Sequence, residues 1–151
     1  MQDAIDRKIL AQLQHNAMMT AQELGDHVGL SASQAARRRQ RLEEQGIIEG
    51  YRARIAPERV GLGVQAFVQV QMGNHDPAGA QSFRHLLESL PEVVNAWTLT
   101  GEADYLLRIW CADLAALNTL IHARILPHAA VSRVQSQIVM DQLKQAAALP
   151  V

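Results

Sequence analysis

The chain has 151 residues, 48% hydrophobic and 19% charged, a globular composition large enough for one ordinary domain or two small ones. It holds no apolar run near the about 18 residues of a membrane span and no charged-then-apolar leader, so a cytoplasmic protein without a membrane partner is expected. A net charge of −1 argues against a generic nucleic-acid coat. The lone Cys111, set among strand-like apolar residues, reads as an inert buried thiol.

Charge is more informative by region. Residues 1–60 carry 9 Lys and Arg against 8 Asp and Glu, and residues 61–151 carry 5 against 7. Within the first stretch Arg37, Arg38, Arg39 and Arg41 crowd into five positions. The hydrophobic period also changes near residue 60. Before it, Ile5, Ile9, Leu10 and Leu13, then Leu24 and Val28, then Ala35 and Leu42 recur at helical spacing. After it, Val64, Ala66, Val68, Val70 and Met72 alternate with Gln65, Gln69 and Gln71 as a strand does. The join at 56–63 holds one Pro and two Gly and reads as a hinge. This predicts two domains, 1–60 and 61–151, with no internal repeat and only a small Ala-rich tail at 146–148.

In the first domain each helix start is marked. Asp3 can cap a helix to about residue 14. Thr20 with Glu23, and Ser31 with Gln34, are capping boxes for a short second helix ending near Gly29 and a third ending at Gly46. Only Val28-Gly29-Leu30-Ser31 separates the second from the third, and two short helices on so tight a turn make a helix-turn-helix. The β-prone stretch 47–55, with a central Gly50, predicts a hairpin wing.

On a helical wheel Ala35, Arg39 and Leu42 share one face of the third helix, and Ser33, Arg37, Gln40 and Arg41 share the opposite one. Ala32, Ser33, Ala35 and Ala36 keep its front slim enough for a major groove about 12 Å wide. Arginine can fork onto a guanine edge or clasp phosphate, and Ser33 and Gln40 can reach bases. Standing alone, such a helix would read as a solvated basic face balanced by Glu43 and Glu44; the turn before it and the wing after it favour DNA. The candidate DNA contacts are Ser31, Ser33, Gln34, Arg37, Arg38, Gln40 and Arg41. Arg39 falls on the packing face, so either its stem lies along the core with the head turned outward or the helix is rotated from this wheel.

In the second domain the order reads strand 63–72, helix 77–89, strand 93–100, strand 104–112, helix 114–125, strand 132–141. Asp76-Pro77 and Asp113 mark the helix starts, and Pro91 and Pro127 follow the helix ends. This β-α-β-β-α-β order is the ferredoxin-like pattern, so the fold class is α+β: an N-terminal winged helix-turn-helix and a C-terminal ferredoxin-like domain. Two helices cover one sheet face, yet the other phase also carries apolar residues: Phe67 in the first strand, Trp110 in the third, and both Val134 and Ile138 against Val131 and Val139 in the fourth. A second buried face predicts a homodimer.

Between the central strands lies Thr100-Gly101-Glu102-Ala103-Asp104-Tyr105. Gly and Asp are ordinary turn residues, and a plain hairpin turn is the first expectation. Functionally, Gly101 lets a backbone N–H approach a small anion, and Glu102 or Asp104 could pair with an ammonium; an amino acid presents both groups. His15, His27, His75, His85, His122 and His128 form no i,i+4 pair and have no Cys partner, so no metal is expected. Neither a nucleophile elbow nor a P-loop or dinucleotide fingerprint is present, so neither an enzyme nor a cofactor is expected.

Several stretches, in order, resemble the Lrp/AsnC (feast/famine) family of transcriptional regulators. They are Ile5-Asp6-Arg7-Lys8-Ile9-Leu10, Val28-Gly29-Leu30-Ser31, Arg37-Arg38 with Arg41-Leu42-Glu43, Gly46-Ile47-Ile48-Glu49-Gly50-Tyr51, Leu62-Gly63, Leu90-Pro91-Glu92-Val93 and Thr100 to Leu107. The resemblance implies a winged helix-turn-helix, a ferredoxin-like effector domain, and dimers that often assemble into octameric discs. It also implies an amino-acid effector held between dimers beside the Gly-x-x-Asp-Tyr loop, here Gly101, Asp104 and Tyr105, with Thr100 and Glu102 adjoining. Three positions depart from the family pattern: Arg39 stands where Val or Ile is usual, Ala35 where Cys or Val is frequent, and Ala103 where a larger residue is frequent.

The reading is a sequence-specific regulator of double-stranded DNA whose DNA binding or assembly responds to a small effector. Its rivals are an architectural nucleoid protein without a ligand and an enzyme built on the ferredoxin-like half.

Overall fold

The computed structural model describes residues 3–74, 76–145 and 147–151; His75, one of the histidines weighed above, and Ala146, in the Ala-rich tail, lie outside the described residues. The chain forms two compact units, one running up to Arg54 and including Leu143–Val151, the other Ile55–Gln142. The C-terminal segment, which the sequence places with the second domain, thus groups with the first. Gln14 exchanges two hydrogen bonds with the backbone of Leu149, and Arg54 Nη2 donates to Gln145 Oε1 at 2.9 Å.

The first unit contains α1 (Ala4–His15), α2 (Ala21–Val28) and α3 (Ala32–Glu44). Asp3 accepts from the Asp6 N–H, and both capping boxes close reciprocally, Thr20 with Glu23 and Ser31 with Gln34. Each cap satisfies backbone donors that the first turn leaves open, so all three starts are specified within four residues. Gly29 ends α2 in the left-handed region at φ 74°, which the tight turn requires. Ile9, Leu10, Leu13, Leu24, Val28, Ala35 and Leu42 form the core.

The hairpin expected over 47–55 does not form. Ile47 and Ile48 both donate their N–H groups to the Leu42 carbonyl, at 3.0 and 3.1 Å, and so close the end of α3 instead of opening a ladder. Beyond them no residue from 49 to 56 belongs to a helix or strand. A lone two-stranded ribbon is marginal in water, which is why β-propensity here is not enough.

The second unit contains β1 (Val64–Met72), α4 (Pro77–Glu88), β2 (Val93–Thr98), β3 (Tyr105–Cys111), α5 (Leu114–Leu120), which runs on as a π-turn over Ile121–Ile125, and β4 (Val131–Ile138). The sheet order is β2-β3-β1-β4, antiparallel throughout, which is the ferredoxin-like topology. The expected hinge belongs to this unit: Pro57–Val60 forms a 3-10 turn, and the Gly63 N–H donates to the Ala112 carbonyl at 3.2 Å. Ala66, Val68 and Val70 of β1 and Leu107, Ile109 and Cys111 of β3 bury one sheet face against Phe83, Leu117, Leu120, Ile121 and Ile125. Cys111 is buried, and burial first, then the Glu92 and Asp113 carboxylates, push its thiol above the ordinary range, as an inert thiol requires.

The opposite face corrects the apolar inventory. Phe67, Leu106 and Trp110 lie there half-buried, with Trp97 of β2 alongside in register with Leu106. From β4, however, only polar residues reach it. Val134 and Ile138 pair with Val70 and Ala66 and so sit on the helix side. A register shift between Gln71 and Met72 carries Val131 to that side as well, leaving Arg133, Gln135 and Gln137 outward. β4 also stops at Ile138, short of the expected residue 141, so Val139 lies beyond it.

Candidate functional site

The basic residues of α3 have different fates. Arg37 is exposed on the outward side and makes no hydrogen bond or ion pair with any described residue. Ser33 and Gln40 are also exposed; the Ser33 hydroxyl lies 3.2 Å from that of Ser31, and Gln40 donates to Glu44 at 2.8 Å. Ser31 and Gln34 spend polar atoms on each other in the capping box, with contacts of 3.0–3.3 Å.

Arg38 and Arg41 turn toward α1. Arg38 Nη1 donates to Asp3 Oδ2 at 2.6 Å and to Asp6 Oδ1 at 2.8 Å, and Arg41 Nη2 donates to Asp6 Oδ2 at 2.7 Å. The hydrogen bond from Arg38, helped by the Asp6 N–H, holds the Asp3 carboxyl below its ordinary value. Asp6 is only 3% exposed and lies outside the candidate DNA contacts expected from the sequence. A signal was present: position 6 lies on the same helical face as Ile9, Leu10 and Leu13, where a carboxylate needs a cation to be tolerated.

Arg39 resolves its two alternatives in favour of the turned-out head. Ala35 and Leu42 are fully buried, so the helix is not rotated from the wheel. Arg39 Nη1 donates to the Met19 carbonyl at 3.1 Å, and its Nε donates to Glu43 at 3.1 Å and to the Tyr51 hydroxyl at 3.0 Å. The guanidinium also lies 4.7 Å from the Tyr51 ring centre, a cation–π distance. Burial pulls this guanidinium down, but the bonds to Glu43 and Tyr51 outweigh it and leave its pKa raised. Tyr51 donates to Glu43 at 2.7 Å, and that bond, with the one from Arg39, lowers the Glu43 carboxyl. Tyr51 thus ties the segment after α3 back to the helix, a role that β-propensity alone did not reveal.

In the β2–β3 connection, Asp104 is a structural clasp. Its carbonyl accepts from Leu99 N–H at 2.8 Å, its N–H donates to Val70 at 3.0 Å, and its carboxylate accepts from Met72 N–H at 2.7 Å. Gly101 has φ 113°, a conformation that excludes most side chains, and nothing lies within 4 Å of where a Cβ would stand. Thr100 and Glu102 are exposed, with Arg133 3.7 Å from Glu102. Tyr105 packs its ring against Phe83 at 5.2 Å.

Of the recesses formed by the described residues, those bordering Tyr105 and Glu102 are different ones. Tyr105 opens onto a groove of about 600 Å³ between α4 and β2, a volume suited to a small ligand. Glu102 instead borders a shallow depression on the outer sheet face with Gln69, Gln71 and Arg133. Among the described residues no group of His, Cys, Asp and Glu is arranged to hold a metal, and no helix is long and apolar enough to cross a membrane.

Residues 3–43 match the AsnC-type helix-turn-helix domain, and residues 65–149 match the Lrp/AsnC ligand binding domain. The chain is 34% identical over 151 residues to the DNA-binding transcriptional activator DecR of Escherichia coli K12, covering 100% of this chain and 99% of that one. It is 35% identical to the leucine-responsive regulatory protein of Rhizobium meliloti, covering 95% and 92%. A transcriptional regulator from Neisseria meningitidis, solved as a complex with L-Met, superposes with a TM-score of 0.95 at 37% identity over 99% of this chain and 97% of that one. With two domain matches in order and relatives aligned end to end, this chain belongs to the Lrp/AsnC family of transcriptional regulators.

Proposed function

We propose that this regulator reads double-stranded DNA by setting α3 into the major groove, with Arg37, Ser33 and Gln40 toward base edges and Arg38 and Arg41 toward the phosphate backbone. Ser31 and Gln34 at the helix start complete the contact set. The observation that carries this reading is Arg37, an exposed guanidinium with no partner among the described residues, on the outward side of the second helix of a helix-turn-helix. Affinity for a preferred duplex, selected by the protein from a random pool, and for its scrambled form at two salt concentrations tests it. If Arg37 reads a base, Arg37→Ala weakens binding to the selected duplex by about 1–3 kcal/mol. If it touches only phosphate, binding falls on both duplexes and the salt slope drops by about one. Unchanged affinity on both removes Arg37 from the groove.

The effector in this reading is an amino acid at the β2–β3 loop, with Thr100 and the Gly101 backbone toward its carboxylate and Glu102 and Asp104 toward its ammonium; Tyr105 opens onto the groove between α4 and β2 and stands outside this contact set. Support comes from the relatives, of which one is named leucine-responsive and one was solved with L-Met. A thermal-shift screen of the twenty amino acids identifies the ligand, because one bound only by the folded protein at 100 times Kd adds about 2.7 kcal/mol of stability. No shift with any of them favours the ligand-free architectural alternative. Phe67, Leu106 and Trp110, half-exposed together on the outer sheet face, support a homodimer through that face; further assembly toward an octamer is what the family resemblance implies. The protein acts in the cytoplasm by binding, not by catalysis. Light scattering on Phe67→Glu, which sets a charge among those apolar groups, tests the dimer: an unchanged mass removes the face from the interface.

A further inference from the structure

We propose that Asp6 of α1 is a positioning residue for DNA recognition: its buried carboxylate aims Arg38 and Arg41 at the DNA backbone and thereby sets the register of α3. The inference rests on the reading above that these arginines face phosphate. Its basis is the asymmetry of the cluster. Asp6 is 3% exposed, while the Arg38 and Arg41 side chains are 25% and 47% exposed. Each oxygen of one carboxylate accepts from a different guanidinium, Oδ1 from Arg38 at 2.8 Å and Oδ2 from Arg41 at 2.7 Å. Asp3 braces the arrangement from the same turn, accepting from Asp6 N–H at 2.8 Å and from Arg38 at 2.6 Å.

A guanidinium has five N–H donors in a rigid fork. Arg41 uses only its Nη2 on Asp6, so its remaining donors keep a fixed direction on the half-exposed side of the helix. Arginine on a free stem loses much rotamer entropy when it meets a phosphate; one already clamped loses less. Phosphate contacts carry no sequence information themselves but fix the register in which bases are read. An apolar residue at position 6 would fill the core without the cost of burying a charge, yet it would leave both arginines unaimed. Charge separates the two effects further: removing the Asp6 charge makes the domain more basic and so favours indiscriminate binding, while loss of register disfavours the preferred site.

The test uses the full chain, a preferred duplex selected from a random pool, and the same duplex scrambled, all well below each variant's melting temperature. Asp6→Asn presents an amide N–H₂ to one of the two guanidiniums and so releases it. Expected is a fall of about tenfold in affinity for the selected duplex, with scrambled-duplex affinity unchanged or raised. In an Arg38→Gln/Arg41→Gln background, Asp6→Asn then changes the ratio of the two affinities no further. Asp6→Glu keeps the charge but displaces it by one methylene; it serves if Asp6→Asn does not fold, and its expected loss of discrimination is smaller. If Arg38→Gln/Arg41→Gln binds both duplexes like the wild type, the reading that these arginines meet DNA is wrong. If that pair weakens binding but the folded Asp6 variants keep the wild-type ratio within about twofold while melting lower, Asp6 only packs, and the positioning inference is overturned.

Discussion

The helix-turn-helix unit and the sheet unit hold themselves together by different means. The first has a short apolar core and many polar ties: three capped helix starts, the Asp6 cluster, and the Arg39–Tyr51–Glu43 clamp. Its caps are local, with partners three residues apart, while the Asp6 cluster and the Arg39–Tyr51 tie join residues 12 to 35 positions apart. The second unit packs a larger core around Phe83, and its central strand β1 pairs with β3 and β4 through residues 35 to 72 positions apart in the chain, as in Val70 with Tyr105 and Ala66 with Ile138. The unit that presents charge outward is held by charge, and the unit built as a platform is held by burial. The polar half should therefore respond to pH and to single hydrogen bonds, and the apolar half to lost volume.

The sharpest test of that contrast is Phe83→Ala. Phe83 is fully buried, and its truncation should cost the second unit about 3–5 kcal/mol. Calorimetry should show that unit's transition falling while the first unit's stays; if both fall together, the two are not independently stabilised. Next is Gly25→Ala in α2, where a Cβ would stand 2.5 Å from the Leu30 carbonyl oxygen. Alanine normally improves a helix, but here the turn must open, at a cost of about 1–3 kcal/mol to the first unit. A gain in its melting temperature would show that the turn yields freely.

Asp104→Ala leaves the Met72 N–H without the carboxylate it donates to, so a loss of about 1–3 kcal/mol from the second unit is expected. Isothermal titration with whichever amino acid raises the melting temperature then separates clasp from site: undiminished ligand binding by the destabilised variant makes Asp104 a turn residue alone. Ser31→Ala should cost the first unit about 1 kcal/mol and Ser31→Asp much less, since aspartate also caps. Equal losses would mean that the cap contributes little.

The smallest effect is on acid. The Asp3, Glu23 and Glu43 carboxyls, all in the first unit, lie below their ordinary values. Asp3 is lowered by Arg38, Glu23 by the Thr20 N–H and hydroxyl, and Glu43 by Tyr51 and then Arg39. A depressed folded pKa gives stability that is present above the unfolded value and lost as pH falls through the folded one. The first unit should therefore weaken as pH drops below the ordinary values of 3.8 for Asp and 4.5 for Glu. Circular dichroism along a pH series checks this, and an equal acid response of the sheet unit would erase the contrast.

Legibility followed the range of the interactions. Capping boxes at Thr20 and Ser31 placed α2 and α3 almost to the residue, because donor and acceptor are three positions apart. The alternation from Val64 to Met72 placed β1 for a similar reason, and Asp76 and Asp113 marked the helices that cover it. The stretch 47–55 forms no hairpin despite its β-propensity, because propensity says nothing about whether a partner strand exists. On β4, alternation alone could not show the register shift at Gln71 and Met72 that moves Val131 to the core side.

By itself, then, the sequence determined the two-domain order, the helix starts, the phase of β1 and the family, all properties of neighbouring residues or of short motifs. Tertiary structure decided which charges remain available. Four arginines lie within five positions, and a helical wheel sets Arg39 apart from Arg37 and Arg41 but assigns none of the four a partner. Folding gives Arg37 to solvent, Arg38 and Arg41 to Asp6, and Arg39 to Tyr51, Glu43 and the Met19 carbonyl. A guanidinium's partner depends on which element lies across from it, and residues 3, 6, 19 and 51 are brought there only by the packing of α1, α2 and the segment after α3.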